Sequence, residues 1–257
     1  MASTSETGHA KNVANFEVLI SFCNGYGAPY NPSKNSLKIP QLQTSLTSAK
    51  SALQTVKTYG TTFENARNAR ELALAPAPIK KFCTRIINAL EATDATKLTI
   101  DNAKTINRKI QGKRAPTPKV LPVTPPVTPP AGGTTPIPIE VHQISVSQQS
   151  YDSLIDNFTK FVVCLSAEPL YIPNEADLKV AGLNTTLTNF KTLNTAAINA
   201  ATPYKNAMIA RNTLLYQDNT GLVDIALEVK KYVKSVFGAT SPQYKQISKI
   251  EFKKIKK

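Results

Sequence analysis

Moved along itself by 141 residues, the sequence lays positions 30–74 on 171–215 without a gap, and 15 of these 45 positions are identical. Chance supplies about three, and self-similarity at one fixed offset marks a duplicated structural unit. The identities include Tyr30/Tyr171, Pro32/Pro173, Leu42/Leu183, Leu46/Leu187, Asn65/Asn206, Arg70/Arg211 and Leu74/Leu215. Other pairs keep their character, such as Phe63/Tyr204. Upstream, Asn15-Phe16 matches Asn157-Phe158, and downstream Ala92-Thr93 matches Ala239-Thr240. Whatever one copy folds into, the other must be able to fold into as well.

Nine of the 18 prolines lie within residues 116–138. Proline fixes φ and removes a backbone donor, so neither helix nor central strand runs through such a tract. Its 23 residues in polyproline II reach about 70 Å. The expected organisation is a flexible tail over 1–12, a first copy over 13–113, a Pro-rich linker over 114–147 and a second copy over 148–257. Pro122 and Pro125 have the PxxP spacing of a ligand for proline-binding modules, but a semi-stiff spacer is the preferred reading.

Each copy reads as helical. Tyr151, Leu154, Ile155, Phe158, Val162 and Leu165 recur at i, i+3, i+4 and i+7, and Val13, Phe16, Leu19, Ile20 and Cys23 do the same. Leu42, Leu46, Ala49, Leu53 and Val56 form a heptad-like seam. A third helix is expected to start at Thr61 and at Thr202-Pro203, where a capping threonine precedes proline. A fourth carries Ile79, Phe82, Ile86, Ile87 and Leu90, matched by Ile225, Val229, Val233, Val236 and Phe237, and Gly238 ends it. The expected fold class is all-α: two duplicated up-and-down four-helix bundles joined by the linker.

Catalytic constellations are missing from the pattern. There is no phosphate-cradling glycine loop and no nucleophile elbow. Two His and three Cys do not supply a zinc set, and neither His9 nor His142 has a counterpart in the other copy. Cys23, Cys83 and Cys164 lie on apolar helix faces and read as small buried hydrophobes. No enzyme activity, cofactor or metal is expected. No run is apolar enough for a membrane span and no secretory signal opens the chain, so a cytoplasmic protein without membrane contact is expected.

Two duplicated polar features remain. Arg70 and Arg211 end the repeated motif Asn-Ala-x-x-Ala-Arg, either as partner-anchoring arginines or, preferred, as intradomain ion pairs or caps. The net charge of +14 comes from 31 Lys and Arg against 17 Asp and Glu. Ten of those charges fall in two chain segments read as basic tails. The first contains Lys104, Arg108, Lys109, Lys113 and Arg114, the second Lys249, Lys253, Lys254, Lys256 and Lys257. Such tails suit a polyanion such as nucleic acid, with solvated chain ends that aid solubility as the preferred reading. The expected role is a non-enzymatic structural or interaction protein with a protein partner or self-association; a nucleic-acid-associated protein is the alternative.

The strings ETGHAKNVANFE, KTINRKIQGKR, ISVSQQSYDSLI and VKKYVKSVFGATSPQYKQIS resemble an uncharacterised family of bacterial, Bacteroidota-type hypothetical proteins. The resemblance covers nearly the whole chain and implies a bacterial, non-secreted protein. It brings no functional residues with it.

Overall fold

The computed structural model describes residues 4–113 and 149–254, with side chains from residue 8 onward. The described residues are helical, with no strand among them. The first copy supplies α1 (Thr4–Gly25), α2 (Ile39–Ala73), α3 (Pro76–Glu91) and α4 (Lys97–Ile110). The second supplies α5 (Tyr151–Ser166), α6 (Val180–Tyr216), α7 (Leu222–Phe237) and α8 (Pro242–Ser248). The helix order therefore recurs, and so does local detail. Tyr30 Oη donates to the Leu37 carbonyl at 2.8 Å, and Tyr171 Oη donates to the Leu178 carbonyl at the same distance. Both tyrosines are buried and pin the extended segment that enters the long helix.

Local chemistry explains most boundaries. Thr96, Ser150 and Ser241 are N-caps whose side chains accept the backbone N–H three residues on. Pro76 and Pro242 occupy first-turn positions where a missing N–H is harmless. Gly238 ends α7 with φ +90°, a conformation a side chain strains.

Three sequence expectations are corrected. The second and third helices of each copy are one helix: α2 runs through Thr61, and α6 carries Pro203 in its interior. Proline inside a helix forfeits one backbone hydrogen bond and costs roughly 3 kcal/mol. The Phe63 and Tyr204 rings stack with centroids 5.7 Å apart and planes at 19°. Gly60 makes room, since a Cβ there would lie 3.2 Å from Tyr204 Cε2. The segment expected as a tail is helical from Thr4, and His9 and Asn12 within it are buried. Finally, the basic stretch at the end of the first copy is α4, an amphipathic helix with Ala103 and Ile110 buried.

The chain forms two compact units, and they do not follow the two copies. Unit 1 is Met1–Arg67 with Ala196–Lys257; unit 2 is Asn68–Thr195. Unit 1 thus joins α1 and residues 39–67 of α2 to residues 196–216 of α6, α7 and α8. Its core places Phe16, Leu19 and Leu42 of the first copy against Leu215, Val229 and Ile247 of the second. Unit 2 joins the end of α2, α3 and α4 to α5 and residues 180–195 of α6. Its core places Leu74, Ile86 and Ile110 of the first copy against Phe158, Phe161 and Leu183 of the second. Each fully buried side chain of this size contributes about 1.5–3 kcal/mol of transfer free energy, so neither core is complete with one copy's residues. The cause lies in the fused long helices. A helix that does not turn back at its middle delivers α3 to the first helix of the other copy.

The Pro-rich linker over 114–147, with its PxxP spacing and His142, lies outside the described residues. Its flanks do not stand apart. Gln149 Nε2 donates to the Lys109 carbonyl at 2.9 Å, and the Gln149 side chain covers Gly112.

Candidate interaction surfaces

Arg70 lies in unit 2 and is engaged within it. Its guanidinium carbon sits 4.1 Å from the centroid of the Tyr151 ring, and Nη1 donates to Asn194 Oδ1 at 3.2 Å. Asn194 is itself buried and donates from Nδ2 to Asp152 Oδ1 at 2.8 Å. An open groove of about 370 Å³ runs beside this chain of contacts, lined by Asp152, Asp156, Lys191 and Asn194. Arg211 lies in unit 1 at 3% exposure, with Nε and Nη2 both donating to Asn212 Oδ1, at 3.1 and 2.9 Å. The duplicated motif thus places its two arginines in different surroundings. Asn194 has Leu53 as its register counterpart, so Arg70's acceptor has no equivalent for Arg211.

The described parts of the basic segments are tied into the two units. In unit 2, Lys104 pairs with Glu91, and Arg108 and Lys109 occupy the last turn of α4, where cations oppose the helix dipole. Lys109 and Lys113 are exposed. In unit 1, the backbone of Lys253 is clamped by Asn12, whose Oδ1 accepts the Lys253 N–H at 3.0 Å and whose Nδ2 donates to the Lys253 carbonyl at 2.8 Å. Asn15 Nδ2 donates to the Glu251 carbonyl at 2.7 Å. Lys254 pairs with Asp224 at 2.6 Å, and Lys249 is the C-cap of α8. Arg114, Lys256 and Lys257 lie outside the described residues. The structure therefore places Lys104, Arg108, Lys109 and Lys113 in one unit and Lys249, Lys253 and Lys254 in the other.

Counting charge by unit changes the picture drawn from the linear sequence. Unit 1 carries 17 Lys and Arg against 7 Asp and Glu, while unit 2 carries 14 against 10. Exposed Lys231 and Lys234 on α7 belong to the more basic unit along with Lys245 on α8, and sequence reading missed the two on α7. The signal was present in the run Lys230-Lys231-Tyr232-Val233-Lys234.

Asp224 sets a pH-dependent contact. The Lys254 hydrogen bond, together with the Asn219 backbone N–H, lowers its carboxyl from the usual 3.8. A depressed folded value means the contribution is complete above the unfolded pKa and disappears as pH falls through the folded one. Asp224→Asn is expected to cost about 0.5–1 kcal/mol at pH 7, as for a carboxylate in a helix first turn. Denaturation along a pH series descending from pH 7 checks this, since the difference should begin to shrink below the usual carboxylate value and the two proteins should converge as acid titrates the depressed group.

The remaining reactive groups are structural in placement. Burial pushes the Cys23 and Cys83 thiols up to about 12, and burial likewise raises Cys164. Thiols held protonated are poor nucleophiles and poor metal ligands. All three cysteines are free, with Cys23 in unit 1 and Cys83 and Cys164 in unit 2. His9 Nδ1 lies 2.6 Å from Tyr216 Oη. Among the described residues there is no group of three or more His, Cys, Asp or Glu placed to hold a metal ion. No helix among them is long and apolar enough to cross a membrane. Comparisons with family models, curated proteins and solved structures gave no match.

Proposed function

We propose that this chain is a non-enzymatic structural or interaction protein presenting two similar helical modules. The modules are the two compact units, each assembled from equivalent helices in opposite order of origin. One observation carries the reading: the residues with chemical potential are spent inside the fold. Arg70 stacks on Tyr151 and bonds Asn194, Arg211 folds onto Asn212, and the Cys23 and Cys83 thiols are buried and protonated. Two similar modules on one chain raise effective concentration for a repetitive partner, including further copies of the chain. Light scattering over a concentration series tests self-association, for which a rise in mass with concentration is expected. A constant monomer mass removes self-assembly and leaves only a heterologous partner.

A second reading rests on the uneven charge. Unit 1, with 17 basic against 7 acidic residues, offers the stronger field for a polyanion such as nucleic acid. Backbone-directed binding of this type weakens steeply as salt rises, because each neutralised phosphate releases counterion. Titration of duplex and single-stranded nucleic acid at two salt concentrations is the experiment. Salt-sensitive binding reduced by Lys231→Ala and Lys234→Ala supports the reading, and no micromolar binding at low salt contradicts it.

A further inference from the structure

We infer that the two sequence copies are obligate complementary partners, each completing the other's compact unit, in cis within one chain or in trans from a second copy of the chain. The residues that build the cores carry the argument. Phe16 and Leu42 share one buried cluster with Leu215, Val229 and Ile247 from the other copy. Phe158 and Leu183 share the other with Leu74 and Ile86 of the first copy. A copy alone keeps half of each core and exposes the rest.

The contact at the middle of the long helices has the form of a self-complementary interface. Phe63 and Tyr204 occupy the same register position, since 141 residues separate them, and they stack on each other. A position meeting its own counterpart is the mark of an isologous contact between like partners. Polar pairs, different in each unit, also join residues of the two copies. Lys34 Nζ meets Glu228 Oε2 at 2.5 Å in unit 1, and Arg85 Nη1 meets Asp177 Oδ2 at 2.8 Å in unit 2. The arrangement is that of two swapped partners written into one chain. Exchange of identical elements between protomers is a low-cost route to association, so equivalent helices from a second chain fit the same places.

Covalent continuity between the copies is then a matter of effective concentration rather than of architecture. Residues 112 and 149, which flank the connecting tract, already touch. The test uses the full chain carrying a protease recognition sequence inserted within 114–147, cleaved after folding. The cleaved protein is expected to elute at about 10 µM as a one-to-one complex with the helical signal of the intact chain. Its unfolding midpoint is expected to fall on dilution, whereas that of the intact chain stays fixed. Separation of the fragments on the column, folded or unfolded, overturns the inference. So does a midpoint that ignores concentration. A second arm refolds an equal mixture of isotopically heavy and light cleaved protein. About half of the complexes should pair a heavy fragment with a light one, as random pairing requires; absence of such mixed pairs overturns the exchange in trans.

Discussion

Phe158→Ala is expected to cost about 3–5 kcal/mol, the usual range for deleting a buried aromatic ring. Phe158 is fully buried, with its ring centroid 5.4 Å from that of Phe190 and 6.3 Å from that of Phe82. The location of the damage is more informative than its size. Phe190 belongs to the second copy and Phe82 to the first, yet both lie in unit 2. Hydrogen exchange should accelerate together in α3, α4 and α5, because they share one core. Acceleration confined to residues 149–254, with α3 and α4 still protected, would mean that each copy folds by itself.

Asn12→Ala is expected to cost about 2–3 kcal/mol, near the upper end for groups whose buried partners lose their hydrogen bonds. Asn12 is 2% exposed and holds both the N–H and the carbonyl of Lys253, with Tyr216 Oη a further acceptor at 3.2 Å. An amide side chain that satisfies both groups of one residue does for that residue what a neighbouring strand would do. Without it, the segment after α8 is left with the Asn15 hydrogen bond to the Glu251 carbonyl as a side-chain tie to α1. Limited proteolysis should then remove the chain end beyond Ile250 at least ten-fold faster, a factor corresponding to about 1.4 kcal/mol of local opening. Unchanged cleavage with unchanged stability would show that the clamp contributes nothing.

The helices themselves were readable because an amphipathic face leaves a period of 3.6 in the sequence. Tyr151, Leu154, Ile155, Phe158 and Leu165 mark α5, and Ile79, Phe82, Ile86 and Leu90 mark α3. Both helices lie within a few residues of where the pattern places them. The break expected at Thr202-Pro203 was chemically reasonable, since Thr-Pro is also how a helix begins. α6 nevertheless runs on through Pro203, and beside it the Phe63 ring stacks on Tyr204, a contact with no local signature. α4 did have an apolar pattern in Ile100, Ala103, Ile106 and Ile110, but its lysines and arginines drew the segment toward a tail. His9 and Asn12 gave no signal, because their partners Tyr216 and Lys253 lie more than 200 residues away.

The division into units was illegible for a deeper reason. Two copies with the same pattern offer the same partners to every helix, so self-similarity reports which helices are equivalent and is silent on which copy supplies them. The same limit governed the candidate sites. The repeat singled out Arg70 and Arg211, but Asn194 and Tyr151 are what orient Arg70, and neither has an identical residue in the other copy. Net charge was likewise readable, while its concentration in unit 1 depends on which segments fold together.

The most direct test of the interleaved architecture is a cross-link between copies. Lys34→Cys with Glu228→Cys, and separately Arg85→Cys with Asp177→Cys, replace exposed ion pairs in a chain whose native cysteines are changed to alanine or serine. With a short bis-maleimide on dilute monomer, both pairs should form intramolecular links at comparable rates. Failure of both pairs to link, in protein that retains its helical signal and cooperative unfolding, would contradict the assignment of each core to residues from both copies.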